Sequence, residues 1–504
     1  MACSSITLVI CFFLLTICEC DQGDWTNHGG DITNRRFQEK EHKISPQNAH
    51  TLAQKWRFVT GPFVSATPAI YKGVIYVPTW SGLVFAVSMQ GSLVWRVNLT
   101  QITGLSGVIS RTSPAVTKEL VILGLLGPAK VVALERETGK LVWISQELEE
   151  TPLAKITMSG TANKDAFYVG ISSDQEVNDT ICCTFQGSFQ KLSLKTGARI
   201  WKTGMLPDNH GQNGLYSGAA IWGSSPSIDE ERGLVYIATG NLYTVPASVQ
   251  ACLDANRTGC FPSNATLCDD AVVALDTETG AIRWCNRLGG DDVFSFICRD
   301  RANPLPNCPS QPGPDYDFGE SPMLVTIRHR NRWRDVVVTG QKSGIVWAHD
   351  RSTGELVWET LAGPGSKSGG AIWGAAADNT RIYTNIVNRD GLNFTLIPSS
   401  NVTRGGGWVA MDANTGVIRW STANPTGALA YGAVAIANDV LFVGSFEDAG
   451  YIYALDARNG SIVWRGMTNA KQGGGFSVAD GCAFVGSGYM PPTTGDSIYA
   501  FCVA

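Results

Sequence analysis

One phrase returns along the chain and ends each time in tryptophan. It reads VFAVSMQGSLVW to Trp95, VVALERETGKLVW to Trp143, FQKLSLKTGARIW to Trp201 and VVALDTETGAIRW to Trp284. It continues as VWAHDRSTGELVW to Trp358, WVAMDANTGVIRW to Trp420 and YIYALDARNGSIVW to Trp464. Each copy predicts a hairpin. The first half alternates small and apolar residues as a strand does, and the second is a short strand closing on Trp. Between them lies a D-x-x-T-G turn, fullest at Asp276-Thr277-Glu278-Thr279-Gly280. Its Asp can accept backbone N–H bonds, and its Gly supplies φ > 0. One such sheet cannot bury both faces alone, so the copies must stack.

The eighth copy is split. The C-terminal SIYAFCVA matches only the first half of the phrase, and LAQKWRF near the N-terminus supplies the rest, with Trp56 in the tryptophan's place. Seven whole copies and one shared copy predict an all-β, eight-bladed β-propeller, its ring closed by N- and C-terminal strands in one blade. Successive tryptophans are 39 residues apart from Trp56 to Trp95, but 83 from Trp201 to Trp284 and 74 from Trp284 to Trp358. The excess predicts loop insertions around 245–270 and 285–320, where a site is expected.

Only 16% of residues are charged, net charge is −5, and 55 glycines and 15 tryptophans suit tight-turned sheets. No basic stripe runs along any segment, which argues against nucleic acid as a partner. The apolar run from Ile6 to Cys18 is too short to span a bilayer. It reads as the core of a signal peptide over residues 1–20, leaving one soluble domain over 21–504 without a membrane anchor. That leaves ten cysteines, an even number suited to pairing outside the cell. Six of them lie in or beside the insertions, and Cys482 and Cys502 flank the last two strands. Sequons begin at Asn98, Asn178, Asn256, Asn264, Asn393, Asn401 and Asn459, so N-glycosylation is expected. The expected location is extracellular (cell wall or apoplast in a plant).

There is no G-x-S-x-G, P-loop, G-x-G-x-x-G or HExxH, and His210 reads as a solvated loop residue. The A-x-D-x-x-T-G-x-x-x-W phrase itself resembles the tryptophan-docking repeat of the quinoprotein alcohol dehydrogenases. Those eight-bladed propellers bind pyrroloquinoline quinone (PQQ) and calcium. In detail the chain resembles the plant proteins described as similar to polyvinyl-alcohol dehydrogenase. The resemblance covers essentially the whole mature chain, and it is more specific for fold than for activity.

The resemblance implies a site. AAIWGSSPSIDEERGLVYIATGN matches the family's segment from its cofactor-stacking Trp to its calcium-binding Asn, which makes Trp222 the floor under PQQ and Asn241 a calcium ligand. Asp292 stands eight residues after Trp284, where the family places its general base, and is expected to reach the calcium as well, with Asp291 as the competing choice. Glu176 lies one residue out of register from a second calcium carboxylate. Lys342 in GQKSG matches a basic residue at the quinone oxygens, and Arg111, Thr157 and Trp373 match further pocket positions. Each also has an ordinary reading, as blade-packing Trp, strand-end Asn or exposed loop Glu. Three positions depart from the pattern: Gln186 stands where Arg is frequent, and Phe294 and Ser295 where Trp and Asp follow. Cys182-Cys183 are adjacent, but the family's adjacent-cysteine disulfide falls earlier in the chain, and each could pair elsewhere.

The implied function is oxidation of a small or polymeric alcohol by base-assisted hydride transfer to a quinone, with an electron-acceptor partner. Two alternatives stand beside it. One is a non-catalytic propeller binding a small molecule, cell-wall component or protein. The other is an enzyme reusing the pocket without PQQ.

Overall fold

The computed structural model describes residues 23–178, 180, 182–223, 225–263, 266–299, 308–489 and 492–504. The expected signal peptide and the sequon at Asn264 lie outside them. Eight four-stranded antiparallel sheets follow one another. In blade 4 the strands are Ser227–Asp229, Leu234–Ala238, Ala271–Asp276 and Ile282–Arg287, in that order from the inside out. Blade 5 has Met323–His329, Arg332–Gly340, Ile345–Asp350 and Leu356–Leu361. The eighth blade joins Ser477–Ala479, Cys482–Gly486 and Ser497–Cys502 to Ala53–Val59, so the two ends of the chain share a sheet. The Cys482–Cys502 disulfide links its second and third strands. Innermost strands of neighbouring blades touch, blade 8 against blade 1 included.

The repeat's tryptophan joins blade to blade. Each of the eight indoles donates its Nε1–H to a backbone carbonyl next door in the ring: Trp56 to Met89, Trp95 to Arg136, Trp143 to Leu194 and Trp201 to Thr277. The others are Trp284 to Arg351, Trp358 to Ala413, Trp420 to Ala457 and Trp464 to Leu52. Gly280 shows why the turn ends in glycine. Its φ is +73°, and a Cβ there would lie 2.7 Å from the Trp201 ring. Asp276 Oδ1 accepts the Thr279 and Glu278 amides, fixing the turn against which that ring lies. Burying roughly 200 Å² of each ring stabilises on the order of 5 kcal/mol.

Residues 25–38 cross the inner opening. Trp25 pairs with Ile70, and carbonyls of Thr26, Ile32, Thr33, Arg35 and Arg36 accept amides of Val116, Ile228, Leu324, Ala377 and Ile436. Gln38 donates to Val478 O. The segment thereby meets the inner strands of seven blades and floors the central channel. Arg36 is fully buried in it, bonded to the carbonyls of Val434 and Phe476, with its guanidinium over the Trp25 ring.

All ten described cysteines are paired: Cys182–Cys183, Cys252–Cys260, Cys268–Cys285, Cys298–Cys308 and Cys482–Cys502. Three of these bonds staple the insertions after Trp201 and Trp284, loops with little core of their own. No described helix is long and apolar enough to cross a membrane.

Candidate active site

Residues just before the inner strands line one mouth of the channel. There Arg111, Thr157 and Trp373 border a small cavity of about 40 Å³ with His28, Ser113 and Tyr489. Thr157 Oγ1 donates to Trp222 O at 3.0 Å, and Arg111 Nε to Thr157 O at 3.3 Å. The Trp222 and Trp373 rings meet edge to face at 5.2 Å, and the Arg111 guanidinium lies 5.1 Å from the Trp373 ring centre. Trp373 has φ +71°, a strained conformation for a bulky residue. A bond of 2.8 Å joins its carbonyl to His28 Nε2. Burial, with Arg36 nearby, lowers the His28 pKa to about 3, so the imidazole is neutral.

Beside this cavity the carboxylates of Glu176, Asp270, Asp292 and Asp315 cluster around that of Asp317, which holds the Lys342 ammonium. Asp317 is the hub. Its Oδ2 accepts Trp222 Nε1 at 2.9 Å and Lys342 Nζ at 2.7 Å, and its Oδ1 accepts the Asn241 amide at 2.7 Å. Lys342 Nζ also reaches Asp315 Oδ1 at 2.7 Å and stands 5.1 Å from the centre of the Trp222 ring. Asn241 spends its Nδ2 protons on the carbonyls of Leu242 and Phe294, which leaves Oδ1 to accept. Asp292 receives the amides of Asp315 at 3.2 Å and Tyr316 at 2.6 Å. Glycines let the backbone close on these acids. A Cβ at Gly240 would lie 2.6 Å from Asp317 Oδ1, and one at Gly313 would lie 2.1 Å from Asp292 Oδ1.

Low dielectric and like charge together disfavour the ionised acids. Burial, with Asp317 adding, pushes Asp292 up to about 6. Burial pushes Asp315 up to about 8 despite Lys342. Glu176 is raised well above the ordinary range by burial and then by Asp315 and Asp317, and Asp270 by burial and then by Asp292. Burial works against the charge on Lys342, but Asp315, Asp317 and Glu176 outweigh it and hold the ammonium above its usual range.

The set is short of positive charge. Glu176 Oε1, both oxygens of Asp270 and Asp315 Oδ2 are buried without a hydrogen-bond partner. Such orphaned oxygens fit a hard cation. As they stand, no three His, Cys, Asp or Glu side chains among the described residues meet in a metal-holding geometry. The Lys342 ammonium lies between the two aspartates instead.

Trp222, Asn241, Asp292, Glu176, Lys342, Arg111, Thr157 and Trp373 therefore gather at one mouth, while Asp291 is exposed. His210 is exposed as well, beside Asp208 at 3.1 Å. The departures have structural work. Gln186 Nε2 donates to the carbonyls of Pro207 and Tyr216, and Ser295 Oγ to Glu176 O at 2.8 Å. Cys182 and Cys183 are bonded to each other, in the loop that carries Glu176.

The sequence reading missed Asp315 and Asp317. The signal was available: P-D-Y-D-F-G stands just before the inner strand of blade 5, as Trp222 stands before that of blade 4.

Comparison with known proteins agrees with the fold. The PQQ family described as glucose/ethanol/alcohol dehydrogenase, β-propeller domain, matches residues 25–296, and one described as outer membrane protein assembly factor BamB matches 319–466. A polyvinylalcohol dehydrogenase of Pseudomonas sp. is 30% identical across 93% of this chain and 74% of its own length. One from Sphingopyxis sp. (strain 113P3) is 28% identical, across 92% and 72%. The solved quinohemoprotein alcohol dehydrogenase of Comamonas testosteroni shares the fold, with a TM-score of 0.73 at 18% identity over 95% of this chain and 80% of that one.

Proposed function

Because the chain belongs to the PQQ-dependent alcohol dehydrogenase β-propeller family, we propose that it is a secreted oxidoreductase that takes a hydroxyl-bearing substrate, small or polymeric, to the carbonyl compound. The observation that carries this reading is the Asp315–Lys342–Asp317 constellation beside the Trp222 ring, with orphaned carboxylate oxygens around it.

Trp222 would support the flat quinone, Lys342 and Arg111 would meet its oxygens, and Glu176 and Asn241 would hold calcium. Bound PQQ supplies a two-electron acceptor for hydride, and calcium supplies charge that polarises it. The chain's own residues do the rest. Asp315, with an oxygen that nothing else claims, accepts the proton of the substrate hydroxyl. Asp292, expected from the sequence as that base, has backbone amides on both oxygens, and we assign it the holding of the 313–316 turn. Asp317 fixes Lys342 and the Trp222 indole together. The ten paired cysteines, and six described sequon asparagines that are exposed or half-buried, support export through an oxidising route.

The test is a titration of the purified protein with PQQ at millimolar calcium, followed by tryptophan quenching and by dye-coupled oxidation of simple alcohols and polyvinyl alcohol. Quinone binding and turnover are expected. Asp315→Asn should keep binding and lose turnover by roughly 10²–10⁴-fold. Absence of quinone binding overturns the reading. The ammonium lying between Asp315 and Asp317 favours a second reading, in which Lys342 supplies the cation and the pocket works without metal. Turnover unchanged by a calcium chelator would select it.

A further inference from the structure

The hairpin Ile327–Asp335 is unlike the rest of this acidic chain and corrects the expectation that no segment carries a basic stripe. It reads I-R-H-R-N-R-W-R-D, with four arginines, one histidine and one tryptophan in nine residues. Arg328, Arg330 and Arg332 are exposed and make no side-chain ion pair among the described residues. Trp333 is 74% exposed, although indole is among the costliest side chains to leave in water. In contrast, each repeat tryptophan from Trp56 to Trp464 packs against a neighbouring blade.

The hairpin is also held in place. Arg330 and Asn331 form a two-residue turn with φ of +49° and +62°, matching the twist of the strands. Asn414 in the next blade accepts the Arg328 amide at 2.6 Å through Oδ1, and its carbonyl lies 2.8 Å from His329 Nδ1. Arg328 and Trp333 pair directly across the strands, so both stand on one face. The strand Arg332–Gly340 spans about 26 Å. Lys342 lies beyond one end and the hairpin turn beyond the other, which puts the turn on the face of the ring away from the cavity.

An open groove runs beside Trp333 and is walled by Thr33, Arg35, Thr326, Asp378 and Asn379. Hydroxyl and amide groups of this kind bond to polyols. Guanidinium pairs with carboxylate in two parallel bonds, and an indole face accepts the C–H face of a pyranose ring.

We propose that this hairpin and groove form a docking surface for an acidic polysaccharide, a chain of sugars bearing carboxylates. Charge complementarity selects an anionic polymer. Asp378 in the groove wall and one aromatic platform, where single-stranded nucleic acid needs a series, select a sparsely charged sugar chain over polyphosphate. The surface would anchor the protein to a hydrated acidic matrix while the cavity faces away. It is independent of the catalytic assignment.

Affinity electrophoresis of the native protein in gels containing polygalacturonate tests this, with neutral dextran and oligo-dT as comparisons. Two variants are used: Trp333→Ala, and Arg328→Ser with Arg330→Ser and Arg332→Ser together. All four side chains are exposed, so unchanged circular dichroism is expected. The native protein should be retarded by polygalacturonate alone, less so as salt rises, and each variant should weaken binding at least tenfold. Lack of retardation overturns the proposal. So does retardation that both variants retain, or equal binding of oligo-dT, which would make the patch a nucleic-acid or generic polyanion site.

Discussion

Glu320 stands behind the active site with no part in the chemistry assigned above, and its burial makes a measurable claim. It is 0% exposed, Oε1 accepts Thr384 Oγ1 at 2.6 Å, and Oε2 has no partner. Burial raises its carboxyl from 4.5 to about 8. In the unfolded chain the proton leaves near pH 4.5, whereas the folded protein keeps it to about pH 8. Between those values the native state binds more protons, so this group's contribution to stability is present below pH 4.5 and is lost as pH rises, at about 1.4 kcal/mol per unit. From pH 5 to 8 the loss integrates to about 3–4 kcal/mol. Glu320→Gln has the shape of the protonated acid, offers the same acceptor to Thr384, and does not titrate. Urea unfolding of both proteins at pH 5, 6, 7 and 8 isolates the effect, because every other group cancels in the difference. Glu320→Gln should gain on the native protein by about 3–4 kcal/mol across that range. Parallel curves would refute the reasoning and mean that Glu320 ionises normally, with water reaching it.

Three further outcomes are expected. Trp420→Ala should destabilise by about 3–5 kcal/mol in the same urea assay, because the ring is 2% exposed and its Nε1–H is bonded to Ala457 O; a cost below 1 kcal/mol would deny the tryptophans their joining role. Gly280→Ala should cost about 1–3 kcal/mol, since φ is +73° and the new Cβ would meet the Trp201 ring; calorimetry showing no fall in Tm would remove that argument. Replacing Cys482 and Cys502 together by Ser should lower stability by about 2–4 kcal/mol in non-reducing urea titrations, because the bond closes a loop of 20 residues in the blade that shuts the ring.

The ring was legible in the sequence because the signal is written eight times. A turn that ends in Gly, D-x-x-T-G in its fullest form, and a terminal Trp recur through the whole copies, and Trp56 with SIYAFCVA shows how the ends meet. Trp222, Asn241 and Lys342 came from the resemblance to the family's segments, and the fold brings all three to Asp317. Asp317 was not chosen, although it bonds to all three. Its role depends on contacts across 95 residues to Trp222 and 76 to Asn241, which no local pattern contains. Asp292 and Asp315 look alike as letters. Folding gives the first two backbone amides and leaves the second a buried oxygen without a partner. The sequence by itself determined the number of blades, how they join and how the ring closes, because those follow from short-range turn and strand chemistry. Only the tertiary structure decided which carboxylates share Lys342, which are satisfied by backbone, and that residues 25–38 floor the channel. Burial and charge balance are properties of the assembled ring and of no single repeat.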